Sequence, residues 1–190
     1  MESFRFSEAE MLEIISIWTE IAVEKGGIFK NILSTGPTYN LALTTNINRF
    51  ELQIPSYQNT SILITTSETH PFRVDYNFIK PLGFEFHIYP EDFIFKISKL
   101  LGAKEVEIGN KEVDDKFIFK SNNELLINYL MDDKSIRFLQ EIVLSGINLN
   151  SNEDSKLDMV LLINERDKNQ MLRLIEFTEN IIQKLYDWRY

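Results

Sequence analysis

The sequence contains no cysteine and only two histidines, His70 and His87, among its 190 residues. The first absence removes disulfides, thiol nucleophiles, thiolate zinc sites and iron–sulfur ligation together, and it accords with a reducing compartment. The second excludes a histidine-rich metal site, and no cofactor is expected. Glycine and proline are scarce, 7 and 5, and no Pro- or Ser-rich linker divides the chain. Basic residues are outnumbered, 20 against 29 acidic ones, for a net charge of −9. A surface of that sign repels phosphate backbones, and no Lys/Arg stripe offsets it, so no nucleic-acid partner is expected. Apolar runs such as Met159–Ile163 fall far short of the roughly 18 to 20 residues that a membrane-spanning helix needs. The N-terminal MESFRFSEAEM carries acidic residues where a secretory signal has a basic region, which predicts a cytoplasmic protein.

What is present is a core. Hydrophobic residues make up 44% of the chain, with 14 Phe, 7 Tyr and 2 Trp, enough for a single globular domain spanning 1–190. Ser7 and Glu10 form an S-x-x-E capping box, and Gly26-Gly27 supplies a stop. Between them Met11, Ile14, Ile15, Trp18, Ile21 and Ala22 recur at helical spacing. From Thr38 to Tyr89 the period changes to two. Five strands are predicted there, TYNLALT, RFELQI, SILITT, FRVDYNF and FEFHIY, separated by TNIN, PSYQN and KPLG. Pro90 then opens a predicted helix ending at Gly102, with Phe95 off its apolar face. Strands are predicted at Lys104–Ile108 and Lys116–Lys120, and helices from Asn122 or Asn123 to Met131, at Asp133–Glu141 and at Asn169–Trp188. Two further strand-like runs between Ile142 and Asn164 flank NLNSNEDS. The result is an α+β fold: a mainly antiparallel sheet of about nine short strands with amphipathic helices at both ends. A helix-grip arrangement around the last helix is the alternative.

One segment resembles a known kind of protein. A K-I-x-K-x-x-G helix (Lys96, Ile97, Lys99, Gly102) is followed by a turn with Glu107, Ile108, Gly109 and Asn110 and by an F-x-F-K-S-N-N-E segment from Phe117 to Glu124. Together these are similar to a stretch of bacterial proteins of unknown function. The resemblance implies a shared bacterial domain and brings no catalytic residue with it. The same residues have a local reading: Gly109 and Asn110 suit a tight connection, and Asp114 can accept from backbone amides within it.

Candidate chemistry centres on RVDYNFIKPLGFEFH, Arg73–His87. If its two halves pair as a hairpin, Asp75 faces His87 on the polar side, half of a general-base arrangement. No G-x-S-x-G elbow accompanies it, and a charged cross-strand pair on a wet sheet face serves equally well as structure. His70 precedes Pro71 and reads as a strand-entry residue. The acidic pairs Asp114-Asp115, Asp132-Asp133 and Glu153-Asp154 lack the spacing of a calcium loop and read as caps and turns, so no metal site is expected. GGIFKN and GPTYN lack the phosphate-cradling glycine spacings. Phe95, Tyr186, Trp188 and Tyr190 are of the residue types enriched in interfaces. The leading expectation is a non-enzymatic module that binds another protein or its own copy as a homo-oligomer. A binder of hydrophobic small molecules is the second reading, and a hydrolase using Asp75 and His87 the third.

Overall fold

The computed structural model describes residues 6–38, 41–67, 70–91, 104–150 and 155–188; over 34–38, 41–46 and at 104 it describes the backbone. The predicted helix opening at Pro90 and its Phe95, the Glu153-Asp154 pair and Tyr190 lie outside the described residues. Within them the chain is α+β, with five α-helices and one nine-stranded antiparallel sheet. The elements are α1 (Glu8–Glu24), β1 (Ile28–Thr38), β2 (Leu41–Pro55), β3 (Ser61–Ser67), β4 (His70–Asn77), β5 (Phe86–Pro90), β6 (Lys104–Val106), α2 (Lys111–Asp114), β7 (Phe117–Ser121), α3 (Glu124–Leu130), α4 (Asp133–Glu141), β8 (Val143–Asn150), β9 (Lys156–Leu162) and α5 (Lys168–Asp187). Among the described residues no helix is long and apolar enough to cross a membrane.

Helix starts are set by short polar side chains, most of them the ones expected; Asp167 of α5 was not foreseen. Ser7 and Glu10 close the capping box of α1 in both directions. Asn123, Asp132 and Asp167 each accept from the backbone N–H three residues on, opening α3, α4 and α5. Lysines close two of the ends. Lys116 Nζ donates to the carbonyls of Leu139, Gln140 and Ile142 at the end of α4, at 3.0, 3.1 and 2.9 Å. Lys184 Nζ does the same for Tyr129 and Leu130 in the last turn of α3. Both complete carbonyls that a helix leaves without partners and place a cation at the negative end of the dipole.

The strand order is β1-β2-β3-β4-β9-β8-β5-β7-β6. One transverse row takes a single residue from every strand: Phe29, Leu52, Ile64, Val74, Met159, Ile147, Ile88, Phe119 and Val106. All are apolar, and all but Phe29 are buried. Helices lie over this row. The Trp18 ring of α1 sits 5.7 Å from Phe29, 5.9 Å from Phe50 and 5.5 Å from Phe72, and its Nε1 donates to the Glu165 carbonyl before α5. On α5, the Thr178 hydroxyl reaches Met159 of the row. Ile14, Trp18, Ile21, Leu174, Ile175 and Leu185 have no exposed surface. Removing such apolar area from water supplies the main stabilisation, roughly 1.5 to 3 kcal/mol for each large side chain.

Three expectations are corrected. TNIN is not a turn: it lies inside the 15-residue strand β2, because a partner unforeseen in the sequence, β1, pairs along its whole length. RVDYNFIKPLGFEFH is not a hairpin: β4 pairs with β3 and β9, while β5 pairs with β7 and β8. The connection from Phe78 to Glu85 is too long for a tight turn and is anchored by buried Phe78, Leu82 and Phe84. It crosses the end of the β8–β9 hairpin, where fully buried Ser155 accepts from Phe78 N–H through its carbonyl and from Leu82 N–H through its hydroxyl. In the predicted turn after Ile108, Gly109 takes φ 78°, whereas Asn110 at φ −108° caps the short α2.

Candidate functional site

One residue along from the apolar row, the register places a second row on the opposite face: Gln53, Leu63, Asp75, Asp158, Asn148, His87, Lys120 and Glu105. Asp75 and His87 therefore do share a face and a row, as period two requires. They are not neighbours. Asp158 of β9 and Asn148 of β8 stand between them, which separates the two backbones by three strand spacings, about 14 Å. Direct proton relay between a carboxylate and an imidazole needs roughly 3 Å, so the Asp75–His87 dyad does not exist.

Each member instead has local partners. Asp158 takes a bidentate contact from Arg73, Nε to Oδ1 at 2.8 Å and Nη2 to Oδ2 at 3.2 Å. That hydrogen bond, and then the Asp158 charge, hold the Arg73 guanidinium above its already high ordinary pKa. Asp75 Oδ1 pairs with the Lys156 ammonium and lies 3.9 Å from Arg73 Nε. Two carboxylates directly opposite on β4 and β9 would repel; Arg73 and Lys156 convert them into an alternating lattice. His87 is buried, 5% exposed, and its Nδ1 lies 3.0 Å from Asn148 Oδ1. That oxygen only accepts, so Nδ1 carries the hydrogen. Its Nε2 is enclosed and meets no hydrogen-bond partner. The imidazole is fixed in a wall and presents no reactive nitrogen to solvent.

The remaining ionisable candidates are also structural. His70 lies at the edge of β4 with Nδ1 3.1 Å from the Ser67 hydroxyl. Asp114 accepts from Ile108 N–H at 3.0 Å and pins the β6–α2 turn. Asp132 caps α4 through Ser135 N–H and pairs with Lys184 at 2.7 Å. Partial burial pushes its carboxyl upward, but the hydrogen bonds from Lys184 and Ser135, with the Lys184 charge, outweigh this and hold it at about 2. Glu165 moves the other way: burial raises it above the ordinary glutamate value against the hydrogen bond from Thr66 and the Arg166 charge. Among the described residues no three carboxylate or histidine side chains gather where a metal ion could be held. An open cleft of about 340 Å³ between Glu91, Asp115, Lys116 and Leu144 contains neither Asp75 nor His87.

Of the aromatic candidates, Tyr186 is 6% exposed, stacked on Tyr57 at 4.5 Å and placed 3.1 Å, oxygen to oxygen, from Tyr76 inside the fold. Trp188 rests partly buried with its ring 5.4 Å from Tyr129 of the same chain. Neither extends from the molecule. Beneath the helices, Trp18, Phe72, Tyr76 and Met159 are buried.

The unsatisfied surface lies elsewhere. β1 is an edge strand, with β2 as its partner on one side and no described strand on the other. Of β2, β3 pairs only with Arg49–Pro55, so the β1–β2 ribbon continues past the body of the sheet, through 33–38 and 41–48. At about 3.3 Å per residue the six β1 residues make this a two-stranded projection roughly 20 Å long. On its edge strand Ile28 is 59% exposed, Ile32 37% and Leu33 63%. Between Lys30 and Arg49 the sequence has no charged residue, and from Asn31 to Ser67 it has only Arg49 and Glu51, which pair with each other at 3.0 Å. The whole net charge of −9 thus lies outside this part of the sheet. Strand periodicity did not reveal β1, because Lys30-Asn31 breaks the alternation of IFKNIL; the charge-free run was the available signal.

No protein-family model matches the chain, and no curated protein matches it significantly. A structural likeness exists to the crystal structure of the mycobacterial trehalose monomycolate transport factor A, TtfA, with a TM-score of 0.51 at 9% identity. It covers 90% of this chain and 95% of that one. At that identity the likeness is one of fold.

Proposed function

We propose that this chain is a non-enzymatic protein-binding domain that docks through the β1–β2 ribbon. The observation that carries the reading is the edge of β1, where exposed apolar side chains and a strand side with no described partner strand coincide with the longest uncharged stretch of an acidic chain. Edge strands of proteins that stay apart are blunted by charge, by proline or by shortness. Here the edge runs for eleven residues, with Lys30 and Pro37 its only such devices. An extended strand from a partner can add to it by main-chain hydrogen bonds, with Ile32 and Leu33 supplying side-chain contacts. The separation of Asp75 from His87 and their local partners support a binding role over hydrolysis. The likeness to a chain named as a transport factor is compatible with such a role and brings no cargo or partner to this protein.

The test is site-specific photocrosslinking in the producing cell, with a benzophenone side chain at Leu33 and, as controls, at Leu125 of α3 and Val23 of α1, exposed positions 71% and 79% open. A discrete crosslinked protein species from Leu33, absent from both controls, is the expected result. Equal patterns from all three positions would refute docking through the ribbon.

A further inference from the structure

We infer that the occupant of the β1 edge is a second copy of this chain, β1 against β1, antiparallel about a two-fold axis perpendicular to the sheet. This rests on the ribbon reading and names its partner. In an isologous contact each surface meets itself, so any net charge on it meets its own sign, and like charges directly opposite across strands are destabilising. A chain of net charge −9 can approach its own copy closely only where that charge vanishes. The Asn31–Ser67 part of the sheet meets that condition, since its two charges are opposite and already paired. A partner of different composition would gain affinity and encounter rate from opposite charge; an uncharged edge forgoes that gain and retains what self-pairing requires.

The strand sequence also bounds the register. Lys30 closes the uncharged edge at one end, and Pro37, with no N–H to donate, closes it at the other. Side chains of facing residues must share a sheet face, so the two-fold axis passes through a residue and not between two. An axis on Leu33 sets Ile32 opposite Ser34 and Lys30 opposite Gly36, keeping each lysine about 20 Å from its symmetry mate. Leu33, 63% exposed in the single chain, then meets Leu33 of the other copy. A two-stranded ribbon is marginal alone and gains from further strands. Pairing supplies the projecting ribbon with a third and a fourth strand.

The test uses the full chain, with native mass spectrometry and sedimentation across roughly 1 to 100 µM protein. Wild type should form a dimer. Leu33→Glu and Leu33→Lys should each weaken it about tenfold or more, since the leucine loses its burial and like charges face each other. Mixed one to one, the two variants should form a heterodimer. Exposure of Leu33 means neither substitution burdens the fold. A wild type that stays monomeric, variants that dimerise as wild type does, or a mixture that fails to associate would overturn the inference. The ribbon reading fails separately: a monomer whose Leu33 still crosslinks to another protein sinks only the self-pairing, whereas one whose Leu33 crosslinks no more than Leu125 sinks both.

Discussion

Replacing Lys116 by Met isolates one contact set on which the α4 end depends. The substitution keeps most of the apolar stem and removes the ammonium that donates to Leu139, Gln140 and Ile142 carbonyls. A hydrogen bond from a charged group contributes about 1.5 to 3 kcal/mol net, and a cation at a helix C-terminus about 0.3 to 1. One ammonium shared by three carbonyls does not deliver three full increments, and water can reach part of the site, so the expected loss is about 2 to 3 kcal/mol. For a domain of this size that is a fall of about 4 to 12 °C in Tm. Urea unfolding followed by far-ultraviolet circular dichroism should show a lower midpoint with an unchanged m-value. Lys116→Arg should recover less than half, because a planar guanidinium fork cannot converge on three carbonyls. A loss below about 0.5 kcal/mol for the Met variant would mean that water replaces the ammonium without cost. Lys116 would then be free to serve the adjacent cleft, contrary to its role here as a strut.

Two predictions concern pH. Burial raises Glu165, so its folded form holds a proton more tightly than the unfolded chain does; its contribution is present at low pH and is lost as pH rises through and above the ordinary glutamate range. Glu165→Gln should therefore be more stable than wild type at pH 7 and level with it near pH 4, and a wild-type advantage at pH 7 would contradict the assignment. Asp132, held at about 2, contributes above its ordinary value near 3.8 and loses that contribution as pH falls toward 2. Asp132→Asn should lower stability at pH 7 by about 1 kcal/mol, a figure discounted for its partial exposure, and the difference should vanish near pH 2 in paired thermal melts.

How much of this was legible in the sequence follows from how local each determinant is. The starts of α1, α3 and α4 depend on residues three positions apart, Ser7 with Glu10 or Asn123 with Leu126, and could be read directly, whereas the lysines that close α3 and α4 lie 23 to 55 residues from the carbonyls they meet. Alternation put Asp75 and His87 on one face. What it could not give was their neighbours, because the strands between them, β8 and β9, come 60 to 80 residues later in the chain. Tyr186 has an interface composition, yet its place four residues beyond buried Ile182 turns it into the core beside Leu185. The β1 strand escaped notice because its partner, and not its own alternation, makes it a strand. Here absence of charge carried more information than any motif.

The central claim is that the β1 edge is a pairing surface. Amide hydrogen exchange of the full chain, measured well below and well above its association range, tests it most directly. The account predicts that protection rises with concentration at the alternate amides of Asn31–Gly36 that point away from β2, and not at the opposite sheet edge, β6. Unchanged exchange along β1, with protection gained elsewhere or nowhere, would contradict it.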